Sequence, residues 1–260
     1  MTSRSRMNKP ASTETLSRDL EQLLGTKVPP IAIAFRDQPP ADVAHIGAAE
    51  PAGCGYWRIA AEQGRVFYTE AADHFGCPIG AHTHGVTLPA AVGAQLEGLI
   101  GTMVGLKYLK MADVPTIPRR EAPFGVAVYA PLAAAPCDPD VVLVRGDVRQ
   151  MMLLAEAAQA AGLAGTGATL GRPTCAVLPQ AIGTGKTASS FGCIGNRVYT
   201  GAGDDEAYYA IPGAQLAELV ASLAIIVNAN HELEKFHRAR ATAARSAATA
   251  TATTSPSTVT

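Results

Sequence analysis

Ile31-Ala32-Ile33-Ala34-Phe35 follows two prolines and predicts a buried β-strand, because five consecutive apolar residues need cover on both faces of a sheet. A second apolar run, Val141-Val142-Leu143-Val144, begins 110 residues later and predicts another central strand. Further strands are predicted at residues 65–69 and 124–129. These runs indicate that a sheet forms the centre of the fold.

Helical patterns separate the predicted strands. Four leucines between Leu16 and Leu24 share one helical face, and Gly25 provides a stop for that helix. Asp147 is a good N-cap for a helix that begins at Val148. Further helices are predicted over residues 56–63, 92–109 and 215–236, and the glycine-rich helix at 92–109 is expected to be buried. The sequence therefore predicts an α/β (or α+β) protein in which helices pack on a mixed sheet.

Four landmarks recur in the same order in the two halves of the chain, at offsets between 110 and 121 residues. They are Ile31 with Val141, Cys54 with Cys175, Cys77 with Cys193, and Gly93–Glu97 with Gly213–Ala217. Repetition at a nearly constant spacing predicts an internal duplication. The expected half-repeats, 28–110 and 138–236, would form two similar lobes that meet at a seam.

The two ends of the chain differ in composition from the body between them. Residues 1–12 are polar, and residues 239–260 are mostly Ala, Thr, Ser and Arg. Such segments bury too little apolar surface to offset their ordering entropy, so both are predicted to be disordered. One globular unit is expected over residues 13–238.

Charge and composition restrict the classes of partner. The formal net charge is −1 and hydrophobic residues make up 48% of the chain, which gives no electrostatic case for nucleic acid or an anionic membrane. A secretory signal and a membrane-spanning apolar stretch are not evident, so a cytoplasmic location is expected. The predicted partner is a small anionic molecule, and a redox partner or a homo-oligomer is left open.

Four of the five cysteines are predicted to form one metal site at the seam. Thiolates in the cytoplasm are suited to iron–sulfur clusters and zinc, and the duplication would bring Cys54, Cys77, Cys175 and Cys193 together. Glycines beside them would let backbone amides approach an anionic cluster. A four-iron (4Fe-4S) cluster is the favoured cofactor and zinc is the alternative. Cys137 has no counterpart and is not assigned a role.

Polar residues near the cysteines are the candidates for binding a substrate. Arg172, Asn196 and Arg197 flank the second pair of cysteines, and arginine is suited to binding carboxylate or phosphate. Three histidines flank Cys77, and they are interpreted either as replacement ligands or as solvent-facing residues of a polar loop. They are His74, His82 and His84.

Several short motifs resemble the prokaryotic family called domain of unknown function 169. They are Leu24-Gly25 to Phe35, Cys77-Pro78-Ile79-Gly80, Ala130-Pro131-Leu132, Pro139-Asp140-Val141-Val142, Arg172-Pro173-Thr174-Cys175-Ala176, Gly192-Cys193-Ile194-Gly195-Asn196-Arg197 and Ile211-Pro212. The resemblance covers nearly all of the expected globular unit. It implies no established activity.

Three classes of function fit these residues. The first is an iron–sulfur protein that carries out redox or Lewis-acid chemistry on a small anionic substrate. The second is a zinc or soft-metal binding protein without catalysis, and the third is a metal-free protein that binds a small molecule. Whether the protein is an enzyme is left open by the sequence.

Overall fold

The computed structural model of the chain describes residues 11–165 and 173–253. Within these ranges the strands are β1 Ile31–Arg36, β2 Phe67–Glu70, β3 Val126–Pro131, β4 Val141–Asp147, β5 Ala188–Ser190 and β6 Glu206–Pro212. The helices are α1 Thr13–Leu24, α2 Gly55–Gln63, α3 Pro78–Thr83, α4 Ala90–Gly105, α5 Val148–Ala160, α6 Val177–Thr184, α7 Ile194–Thr200 and α8 Leu216–Thr253.

The strands form a sheet in the order β2-β3-β1-β4-β6-β5, and every ladder among the described strands is antiparallel. Ile31 of β1 pairs with Pro131 of β3 on one side and with Leu143 of β4 on the other. The predicted α/β class with packed helices is confirmed. The sheet is antiparallel, whereas a mixed sheet was expected. The sequence could not show this, because an apolar run indicates burial on both faces and does not determine strand direction.

Different helices cover the two faces of the sheet. Helices α1, α5 and α8 pack on one of them, here called the helical face, where Leu20, Leu154 and Leu219 are fully buried. Helices α2 and α6 pack on the other, here called the cavity face, against the side chains of Ile33 and Tyr129. Burial of both faces stabilises the sheet through the hydrophobic effect, at roughly 25 cal/mol for each Å² of apolar surface.

The strand order is symmetric about the pair of central strands. If β1, β2 and β3 are matched with β4, β5 and β6, each half contributes its strands in the same order outward from the β1–β4 pair. The two halves share one continuous sheet, since Ile31 of β1 pairs directly with Leu143 of β4. They are therefore not separate lobes.

The landmarks of the predicted duplication agree with this symmetry only in part. The four cysteines lie at matching places, each just before a helix of its half. The last landmark does not match, because Gly93–Glu97 lies within α4, before β3, whereas Gly213–Ala217 leads into α8, after β6. Strand β3 also falls outside the expected half-repeat 28–110. The internal duplication thus stays a prediction.

The C-terminal helix is longer than expected. The sequence predicts a helix that ends near Phe236 and a disordered tail at 239–260, but α8 continues to Thr253. Alanine favours the helix more than any other residue, so an Ala-rich segment can extend a helix whose first turns are packed. Residues 235–246 are exposed, and residues 254–260 lie outside the described ranges.

Residues 213–246, which include most of α8, form the one described helical stretch whose length and apolarity would allow it to cross a membrane. Leu219 and Leu223 in its first turns are core residues of the helical face. At the other end of the chain, residues 1–10 are not described, and the hydroxyl of Ser12 accepts the backbone N–H of Thr15 at the start of α1.

Candidate functional site

Four cysteines line one cavity of about 650 Å³ on the cavity face. Each comes from the start of a different helical element. Cys54 precedes α2, Cys77 precedes α3, Cys175 lies in the turn before α6, and Cys193 precedes α7. Together with Thr174 and Asn196 they form the surface nearest the sheet, here called the cavity floor.

Close backbone packing surrounds the thiols. A methyl group added at Gly80 would lie 3.1 Å from the sulfur of Cys77 and 4.0 Å from that of Cys175, so glycine lets α3 approach both. The backbone N–H of Cys193 donates to the hydroxyl of Thr174 at 2.5 Å. The close approach of α3 at Gly80 and the hydrogen bond from Cys193 to Thr174 therefore hold the cavity floor in place.

Burial determines the ionisation of two of these thiols. Burial, together with the neighbouring thiols of Cys77 and Cys193, raises the pKa of Cys54 to about 12, against the nearby carboxamide of Asn196, which lowers it. Burial also raises the pKa of Cys175 well above its ordinary value of 9.0. Both groups are consequently neutral thiols at physiological pH.

The predicted metal-centred function is wrong. In the two described ranges, no group of three or more Cys, His, Asp or Glu side chains is arranged to hold a metal ion. The four cysteines share a cavity, but they do not form such a group. Burial also favours the protonated thiol, whereas metals bind the thiolate. Neither the iron–sulfur chemistry nor the zinc alternative is therefore retained as the function.

The opposite surface of the cavity is formed by α4 and the segment at 106–118, here called the apolar wall. The sequence predicts a buried helix in this region, but no residue of α4 is buried. A methyl group added at any of its four glycines would meet no atom within 4 Å, so these glycines do not serve close packing. The apolar wall contributes Leu96, Leu99, Ile100, Met103, Tyr108, Leu109, Val114 and Ile117.

The structure places the three residues that were expected to bind a substrate in different surroundings. Asn196 lies in the cavity floor and is only 2% exposed. The guanidinium of Arg197 donates to the backbone carbonyls of Phe191, Gly203 and Glu206, so it holds the loop after α7. Arg172 lies outside the described residues.

The histidines differ from one another in exposure. His82 is exposed and lines the cavity mouth, where its backbone carbonyl accepts the Nε–H of Arg119 at 3.0 Å. His74 and His84 are buried behind the floor, contrary to the solvent-facing interpretation, with their ring centroids 6.1 Å apart. Burial lowers the pKa of His74 to about 4 and that of His84 to about 3.

Among these buried imidazoles, one nitrogen of His74 is paired. Its Nε2 lies 2.9 Å from the hydroxyl of Thr69. Neither ring nitrogen of His84 has a hydrogen-bond partner. The fifth cysteine, Cys137, packs near Val128 in a separate cluster away from the cavity.

One family model matches the chain, and it covers residues 19–222. The family carries the description "Uncharacterised ArCR" and is domain of unknown function 169. No curated protein and no solved structure matches the chain. The matched range contains every residue of the cavity floor and the apolar wall. The chain therefore belongs to the family of domain of unknown function 169.

Proposed function

We propose that the protein binds a small, mainly apolar molecule between the apolar wall and the cavity floor. The observation that carries this proposal is the cavity itself, whose volume of about 650 Å³ lies within the range of ligand pockets. It is large, lined mainly by aliphatic and aromatic side chains, and contains a few polar groups at one end. This combination is typical of binding sites for small organic molecules.

The apolar wall supplies surface that a ligand can cover. Leu99 is 43% exposed and Tyr108 is 38% exposed, and both line the cavity. Covering apolar surface contributes roughly 2.5 kcal/mol for each 100 Å² removed from water. A ligand of matching shape would thus gain affinity mainly from contact with α4 and the segment that follows it.

The cavity floor is compatible with an apolar occupant. A neutral thiol behaves as a small hydrophobe with a weak S–H donor, and both Cys54 and Cys175 are neutral because burial raises the pKa of each thiol. The predicted anionic ligand is supported less well, because the Arg197 guanidinium is bound to carbonyls. An anionic group would lie instead at the mouth, beside Arg119.

A cytoplasmic location is part of the same proposal. The five cysteines are all unpaired thiols in the described structure, which fits a compartment that keeps thiols reduced. Several of them line a cavity open to small molecules, so an oxidising environment would expose them to modification.

The proposal can be tested with the fluorescent probe 8-anilinonaphthalene-1-sulfonate and a matched pair of glycine variants. Gly195 lies in α7 and lines the cavity, and a methyl group there would contact only the ring of Tyr199, at 3.8 Å. Gly183 lies in α6 with no atom within 4 Å of an added methyl group. Leucine favours the helix over glycine at both positions, so both variants should fold.

We expect the wild-type protein to bind the probe saturably, with a rise in fluorescence. Gly195→Leu should weaken the dissociation constant about tenfold by occupying part of the cavity, and Gly183→Leu should leave it unchanged. Circular dichroism would verify that both variants are folded. Absence of saturable binding, or equal binding by both variants, would refute the proposal.

A further inference from the structure

Asn196 presents a carboxamide group in the cavity floor that the protein leaves unpaired. The side chain is 2% exposed, and neither its Oδ1 nor its Nδ2 has a hydrogen-bond partner. Buried polar atoms in folded proteins are nearly always hydrogen-bonded, so a buried donor and acceptor that both lack partners require an explanation. Their position in a cavity indicates that the missing partner is a ligand.

The start of α7 shows why this amide remains unpaired. Asn196 is the third residue of the helix, and in a capping box the side chain at this position accepts the backbone N–H of the capping residue. Here that N–H, from Cys193, donates to the hydroxyl of Thr174 at 2.5 Å instead. The N–H of Asn196 itself donates to the sulfur of Cys193 at 3.4 Å. The helix is thus capped without using the carboxamide.

A second helix provides the contrast. Gln150 occupies the same position in α5, and its Oε1 accepts the N–H of Asp147 at 2.8 Å. Its Nε2 donates to the carbonyls of Leu24 and Gly25, each at 3.0 Å. The fold can therefore pair such an amide fully at a helix start, and it does not do so at Asn196.

Polar neighbours of Asn196 do not satisfy it either. The thiol of Cys54 and the hydroxyl of Tyr208 lie near enough for the carboxamide to lower the pKa of each, but neither contact has the geometry of a hydrogen bond. The Tyr208 hydroxyl instead lies 3.1 Å from that of Thr200. Two adjacent groups, one donor and one acceptor, are thus left without a partner in a residue that lines the cavity.

Resting on the proposed function, we infer that Asn196 recognises a neutral amide edge at the polar end of an apolar ligand. A carboxamide forms two parallel hydrogen bonds with a primary amide or a lactam, because each partner offers one N–H and one carbonyl side by side. A carboxylate offers acceptors alone and would place a negative charge against Oδ1. An alcohol would make one of these two hydrogen bonds.

The inference predicts a selectivity that can be measured with three compounds of equal chain length. Octanamide, octanoate and 1-octanol would each displace 8-anilinonaphthalene-1-sulfonate from the wild-type protein at pH 7.5. We expect octanamide to be effective at a concentration at least tenfold lower than either of the others. In Asn196→Leu, which keeps the branching at Cγ and has no polar atoms, this preference should disappear while the probe and 1-octanol still bind.

Two further variants serve as controls. Asn196→Asp keeps the shape but loses the N–H donor, so it should reduce the preference for octanamide even if Asn196→Leu is poorly folded. Asn228→Leu places the same change on an exposed position of α8 and should keep the full preference. A preference that is absent in the wild-type protein, or that survives both changes at Asn196, would overturn the inference.

The outcomes also separate this inference from the proposed function. If neither the probe nor any of the three compounds binds the wild-type protein, the proposed function fails and the inference fails with it. If all of them bind with similar affinity, the cavity binds small molecules and only the role of Asn196 is refuted.

Discussion

The helical face and the cavity face both bury apolar strands, but they differ in whether their buried polar side chains are hydrogen-bonded. On the helical face, the amide of Gln150 is fully paired, and the hydroxyl of Ser222 donates to the carbonyl of Ala157 at 2.8 Å. On the cavity face, His84 and Asn196 are buried with both side-chain polar atoms unpaired. Unpaired buried groups cost stability, so the contrast indicates that the cavity face is shaped by a requirement other than folding.

The largest expected effect comes from acidification, which acts on the cavity face. Burial lowers the pKa of His74 to about 4 and of His84 to about 3, whereas the unfolded chain has the ordinary value of 6.5. The unfolded state therefore binds more protons below pH 6.5, and stability falls as the pH falls. Between pH 7 and pH 5 the loss should be about 2 kcal/mol for each histidine.

Urea unfolding at pH 7, 6 and 5 would measure this dependence. His84→Leu should remove roughly half of it, because one buried imidazole remains, whereas His231→Leu on the exposed part of α8 should remove none. A free energy of unfolding that is the same at pH 7 and pH 5 would contradict the burial of the two imidazoles.

The next effect compares one leucine from each face. Leu154 in α5 is fully buried, so Leu154→Ala should lower the free energy of unfolding by about 3 kcal/mol. Leu99 in α4 is 43% exposed, and Leu99→Ala should change stability by less than about 1 kcal/mol.

Binding of the fluorescent probe should show the reverse order. Leu99→Ala should weaken it, since Leu99 belongs to the apolar wall, and Leu154→Ala should leave it unchanged at temperatures where the variant is folded. Denaturant unfolding and probe titration on the same preparations would supply both readouts. Equal effects of the two variants on binding would place the apolar wall outside the binding site.

The smallest effect distinguishes the two amides at helix starts. Gln150→Leu removes a capping side chain that is bonded to Asp147, Leu24 and Gly25, and should cost about 2 kcal/mol. Asn196→Leu removes unpaired polar atoms and should be neutral or stabilising by about 1 kcal/mol. Thermal and urea unfolding of the two variants would measure both changes in the free energy of unfolding. A large loss of stability in Asn196→Leu would show that the amide has a structural role.

Local patterns in the sequence predicted much of the fold. Helix α1 ends where Gly25 adopts a left-handed conformation, with φ of 66°. Asp147 caps α5 by accepting the N–H of Gln150, as its position indicates. The strands β1 and β4 follow directly from their apolar runs. These features depend on interactions within a few residues, which is why the sequence reveals them.

Features that depend on distant contacts were harder to predict. Strand direction is not encoded in an apolar run, and the length of α8 reflects helix propensity that the disorder prediction did not weigh. The glycines of α4 indicate close packing in the sequence, but the helix borders a cavity.

The candidate site was predicted in part. The suspected duplication led to the expectation that the four cysteines lie together with Asn196 nearby, and all five residues line the cavity floor. The position of each sulfur atom depends on helix placement, so spacing could not show whether the thiols form a ligand set. Arg197 was expected to meet a substrate, but nearby carbonyls of its own loop satisfy its guanidinium. Nothing in the sequence pattern indicated that the apolar wall lines a cavity, because its residues between 106 and 118 follow no regular period.

The composition of α4 has a consequence for how affinity depends on ligand size. Each glycine makes a helix less stable by about 1 kcal/mol than alanine would, and this helix contains four of them without a buried residue to compensate. Part of the binding free energy would therefore be used to order the helix around the ligand. Affinity should then rise less steeply with ligand chain length than the contact area alone predicts. Compounds of different cross-section should also bind at the same site.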